Sequence, residues 1–233
     1  ALSPSLRARI LERTDGTPLF VEELTRALLE SGRLQAAEDA AGSAIAVSQL
    51  SIPGGLHGLL MARLDRLGSA RELLQALAVV GAEAGYPLIR ALAGLPELTL
   101  RERLDQLVAS GLLQVSETAP ETVYRFKHAL IRDVANGSML SEWRARQHCL
   151  AAQAIETVYA GHLAERFGEL AHHYEHGGRI EPAADYAQRA AERALSLCAN
   201  AQAVAHFETA IRLLEGLPAS PERQLRLASL YSQ

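Results

Sequence analysis

Lysine is almost missing from this sequence: of 23 Lys and Arg residues only Lys127 is lysine, and the rest are arginine. A phosphate-binding P-loop needs a glycine-rich turn ending in Gly-Lys-Ser or Gly-Lys-Thr, because its lysine neutralises the β- and γ-phosphates. Lys127 lies between Phe126 and His128 with no such turn before it, so these residues encode no ordinary P-loop nucleotidase. Cysteine is scarce too. Cys149 and Cys198 are too few for a disulfide framework, and nothing in them argues for secretion. No run approaches the roughly 18 apolar residues of a membrane span, and no signal-peptide pattern opens the chain. Excess positive charge is also lacking: a formal net charge of −4 leaves no electrostatic footprint for nucleic acid or an acidic membrane. Nor does a Ser-His-Asp or Cys-His nucleophile set stand in a recognisable context. The expectation is a soluble, cytoplasmic, non-catalytic segment with no metal site.

What is present is an ordinary globular composition, with 48% hydrophobic and 21% charged residues in 233, enough for one large domain or two small ones. The sequence begins with Ala1 and enters directly on a helical pattern, as a piece of a longer protein would. Leu6 and Ile10 stand one turn apart, and Phe20, Leu24 and Leu28 resume the period after Asp15-Gly16-Thr17-Pro18. Thr17 suits an N-cap and Pro18 the first helical position. From Ala36 to Ser51 the composition turns to Ala, Ser, Gly and acid without an apolar stripe, which reads as a mobile linker ended by Ile52-Pro53-Gly54-Gly55.

A second block follows. Leu56, Leu59, Leu60, Leu64 and Leu67 mark one helix, and Leu73, Leu74, Leu77 and Val80 another. A short helix fits Pro87 to Ala93, and Leu100, Leu104, Leu107 and Val108 define a further one with Gly111 as its C-cap. The period then changes to two: Leu113 and Val115 alternate with polar residues, as do Tyr124 and Phe126, around a turn at Ala119-Pro120-Glu121. Helices followed by a small hairpin are in the order of a winged-helix domain. The remainder reads as helices over 128–140, 142–159, 163–176, 181–197 and 201–214, with a last one from Pro221. Their short junctions imply antiparallel hairpins, and Ala203-x3-Phe207-x2-Ala210 matches the second helix of a tetratricopeptide repeat. The fold expected is mainly α: a winged helix with a small β-hairpin, followed by tetratricopeptide-like antiparallel helical hairpins. Its expected divisions are 1–35, the linker 36–51, the winged helix 52–141 and the helical repeats 142–233.

Three stretches in this order resemble one family. Gly16-Thr17-Pro18-Leu19-Phe20-Val21-Glu22-Glu23-Leu24 is similar to the motif that ends the nucleotide-binding region of STAND-class signalling ATPases, found in bacterial multidomain adenylate cyclases and large LuxR-type regulators. Phe126-Lys127-His128-Ala129-Leu130-Ile131-Arg132-Asp133-Val134-Ala135 resembles their winged-helix segment, and His172-His173-Tyr174 through Pro221-Glu222-Arg223 their helical-repeat sensor region. The resemblance implies that Pro18 packs near the adenine of a bound nucleotide and that His128 reaches the ADP β-phosphate in the resting state. Lys127 and Ala129 flank that histidine where many relatives have Met and Asp. It further implies ATP or ADP as the nucleotide of the full-length parent, an upstream nucleotide-binding domain as partner, and a protein or small-molecule inducer on the repeats. No cofactor is expected in this chain itself.

Other features weigh less. His172 and His176 share a helical face that a metal could bridge, but no third ligand is evident and a polar helix face is the plainer reading. A winged helix also suggests DNA. The helix that would enter the groove, Glu97–Ala109, carries Glu97, Glu102 and Asp105 against Arg101 and Arg103, a balanced surface without the positive excess phosphates attract. A DNA-binding transcription regulator is therefore the alternative, and Arg144 and Arg146 beside Trp143 read as a solvated face.

Overall fold

A computed structural model describes residues 4–30, 55–118 and 121–231. The linker expected over 36–51 lies outside the described residues. The chain divides into two compact units, Ala1–Arg71 and Glu72–Gln233.

In the first unit, α1 (Pro4–Thr14) and α2 (Pro18–Glu30) are separated by the expected turn. Asp15 and Gly16 take φ of 48° and 66°, the left-handed region that Asp and Gly tolerate best. Pro18 then starts α2, where its missing N–H removes no helical bond. The third helix, α3, is Gly55–Asp65. Ile10, Leu24, Leu28, Leu60 and Leu64 are buried, and a charged pair is buried with them. Arg63 Nη1 on α3 donates to Glu23 Oε1 on α2, with side chains only 9% and 4% exposed.

The second unit begins within α4 (Ala70–Val80) and continues through β1 (Glu83–Gly85), α5 (Tyr86–Ala93) and α6 (Glu97–Ala109). After these come β2 (Leu113–Thr118), β3 (Glu121–Phe126) and α7 (Ala129–Gly137). The alternating residues pair as a hairpin, with Leu113 opposite Phe126 and Val115 opposite Tyr124. Gly111, at φ 68°, closes α6, and Leu112 N–H returns to Leu107 O at 3.1 Å. One strand was not foreseen. β1 adds to the far side of β3, giving an antiparallel sheet of order β1-β3-β2. Three residues are too few to alternate visibly. Pairing with β3 makes this strand, and the cross-strand Arg125–Glu83 ion pair at 2.7 Å stands at its first register position.

Beyond the sheet the unit is helical: α8 (Ser141–Val158), a 3-10 segment (Ala160–Arg166), α9 (Phe167–His176), α10 (Ile180–Ser196), α11 (Asn200–Glu215) and α12 (Pro221–Tyr231). The expected helix over 163–176 starts later, at Phe167. No residue of the preceding 3-10 segment is buried and His162 leaves helical geometry at φ −133°, so no apolar face holds that stretch in α form. α10 packs against both α9 and α11. Its buried residues are all alanine, namely Ala183, Ala184, Ala187, Ala190, Ala191 and Ala194, and side chains this small let neighbouring backbones approach. On α11, Ala203, Phe207 and Ala210 are buried as their spacing implies. α8 packs on α5 and on α9, linking the sheet-bearing part to the helical array. The end of α9 comes so close to α8 that a Cβ on Gly177 would lie 2.5 Å from Cys149 Sγ.

Candidate functional site

The two residues singled out by resemblance fall in different units. Pro18 is exposed at the first position of α2 in the first unit. His128 is half-buried in the second unit, where β3 passes into α7. Its extended backbone, φ −143° and ψ 142°, caps α7, and its carbonyl accepts from Ile131 N–H at 3.1 Å. The buried face of α7, formed by Ile131, Val134 and Ala135, anchors the helix that His128 precedes.

A different set of side chains converges where α8 meets α9. His148 of α8 and His173 of α9 are 5% and 1% exposed, and their Nδ1 atoms lie 3.0 Å apart. His172 and His176, exposed on α9, complete the group: their ring centroids are 5.7 and 5.1 Å from that of His148 and 4.1 Å from each other. His176 Nδ1 donates to the His172 carbonyl at 2.9 Å. Next to His148, Cys149 Sγ donates to Gly177 O at 3.3 Å. Burial, with the neighbouring imidazoles acting after it, pushes His148 down to about 4 and His173 down to about 3 from the ordinary 6.5. His172 is lowered for the same first reason. At neutral pH the buried pair is uncharged.

Further along α8, phenols meet a carboxylate. Tyr186 of α10 donates its hydroxyl to Glu156 Oε1 of α8 at 2.6 Å. Tyr174 of α9 stacks on Tyr186 with centroids 5.7 Å apart, and Arg189 lies 5.4 Å over the Tyr186 ring. Burial, then the hydrogen bond to Glu156, pushes Tyr186 up to about 12 and Tyr174 higher still. Both phenols stay protonated, so they act as donors and packing surfaces rather than as bases or nucleophiles. Tyr186→Phe removes one charge-assisted bond from a part-buried carboxylate and should cost about 1.5 kcal/mol. A urea midpoint unchanged in that variant would show the bond to be immaterial.

The expected polar face of His172 and His176 is exposed as anticipated, but sequence reasoning missed the buried pair beneath it. A local signal existed for His148 alone: it shares a helical face with the buried Ala151, Ala152 and Ile155. Among the described residues no group of three or more His, Cys, Asp or Glu side chains is arranged to hold a metal ion. On another face of α8, Trp143, Gln147 and Leu150 line a shallow groove of about 160 Å³ with Glu72, Leu92 and Arg103. Among the described residues no helix is long and apolar enough to cross a membrane.

No family model matches the chain. An uncharacterized protein of Rhizobium meliloti (strain 1021) is 29% identical over 219 residues, which make up 91% of this chain and 20% of that protein. The chain thus spans about a fifth of that relative's length.

Proposed function

We propose that this chain is a regulatory and sensor segment of a STAND-type signalling ATPase, mediating autoinhibition and inducer or protein binding without catalysis of its own. The observation that carries the reading is the passage from β3 into α7 with the half-buried His128 at its N-cap. Free N–H groups at a helix start favour an anion, and a histidine there adds a donor. In this reading the sheet and its helices form a winged helix, and the alanine-lined hairpins form a degenerate tetratricopeptide-like array that receives the inducer. Inducer binding then shifts a closed, ADP-bound state toward an open one, in proportion to its preference for the open state. A relative in which the matching segment is 20% of the chain suits a module working inside a larger protein. The DNA-binding alternative has less support, because exposed Arg101 of α6 is paired with Glu97 at 2.8 Å instead of standing ready for a phosphate.

The test uses the full-length parent. His128→Ala should speed ADP release about tenfold, the equivalent of one hydrogen bond to a charged group, and raise inducer-free output. Release at the parental rate from a normally folded variant would remove His128 from the nucleotide site.

A further inference from the structure

His148 and His173 are buried with their Nδ1 atoms 3.0 Å apart. A hydrogen bond at that separation needs one ring to donate Nδ1–H and the other to accept, so the contact holds one proton between two nitrogens. A second proton on the accepting nitrogen would set two N–H groups head-on and place a positive charge where burial disfavours it. The pair lies in the contact between α8 and α9, and α8 also packs on α5. The geometry points to a proton-sensitive latch: His148 and His173 hold α9 against α8 while they share one proton, and release it when the pair gains another.

The surroundings favour release over accommodation of the new charge. On α8, Arg144 opposes a positive charge on His148, and Cys149 is engaged with Gly177. On α9, His172 and His176 oppose a positive charge on both members of the pair. Glu169 and Glu175 favour a charge on the outer His172, and each is already paired, with Arg166 of the 3-10 segment at 3.0 Å and Arg212 of α11 at 2.8 Å. From α10, Tyr186 is tied to Glu156 and Asp185 to Arg226, and α5 brings the exposed Arg90. None of these carboxylates adjoins the inner pair as a counter-charge.

A histidine in the released state titrates near 6.5, whereas the latched pair takes up a proton only well below that. The released state therefore binds more protons, and latch stability falls as pH drops below 6.5 until the folded rings also titrate, near 4 and 3. Above 6.5 it is fully present. This property belongs to the chain itself and stands apart from the signalling role.

The experiment follows the 233-residue chain from about pH 7.5 to about pH 3, reading fluorescence of Trp143, its single tryptophan, and the imidazole nitrogen shifts. Acid should open the native protein with a midpoint below 6.5. His148→Gln/His173→Gln keeps a hydrogen-bonding pair that cannot titrate, and should move that midpoint down by about one pH unit or more. The outer variant His172→Gln/His176→Gln should move it less. An unchanged midpoint in the folded inner variant, or a larger shift in the outer one, overturns the latch. So does either His148 or His173 titrating near 6.5 in the native protein, a result that needs no variant to fold.

Discussion

Arg63→Met should destabilise the first unit by about 3–5 kcal/mol, because it leaves the Glu23 carboxylate buried without its counter-charge. Glu23 lies on α2 and Arg63 on α3, with side chains 4% and 9% exposed, so water cannot take over the missing partner. Hydrogen exchange in α2 and α3 reads the loss directly: their amides should lose most of their protection. The pair need not itself be a net stabiliser, since desolvating two charges can offset their attraction. Arg63 Nη2 is buried and finds no acceptor among the described residues, which adds to that cost. Glu23→Leu/Arg63→Met, with both charges removed, should therefore regain protection close to the native level. Protection in Arg63→Met within about 1 kcal/mol of native would mean that the site hydrates or the carboxylate finds another donor.

Ala187→Leu should cost the second unit about 3 kcal/mol. Ala187 is fully buried on a helix whose buried residues are all alanine, and that helix packs on α9 and on α11. A leucine there adds three carbons to a fully buried position and must push helices apart. The urea midpoint should fall with little change in slope, the signature of lower stability at similar compactness. Ala201→Leu makes the matching control: Ala201 is exposed on α11, and the same added carbons should stay within about 0.5 kcal/mol of native. Equal effects at the two positions would show that the alanine stripe is not close-packed.

Much of the helical framework was legible because helix formation leaves a local, periodic mark. The segment Glu97–Ala109 is a helix with the bounds its apolar spacing and Gly111 imply. The hairpin was legible for the same reason: Leu113, Val115, Tyr124 and Phe126 alternate, and a two-residue period admits only a strand. β1 left no such mark, since three residues contain no period, and the exposed 3-10 segment before α9 had no apolar face to read. Pro18 was legible as a helix start because proline favours the first helical position, whereas His128 was singled out by resemblance alone.

Sequence by itself determined most of the segments that coil, and it marked Ala203, Phe207 and Ala210 as the face on which α11 packs. Tertiary structure alone decided which side chains meet. Glu23 and Arg63 are 40 positions apart, Glu156 and Tyr186 are 30 apart, and His148 and His173 are 25 apart. Each member read singly is an ordinary surface residue type, and neither helix of a pair encodes the other's position. Only the packing of α2 on α3, and of α9 and α10 beside α8, removes water from these groups. Burial then turns an unremarkable glutamate, tyrosine or histidine into one whose charge and hydrogen bonds matter, because the cost of a polar group depends on its surroundings and not on its place in the chain.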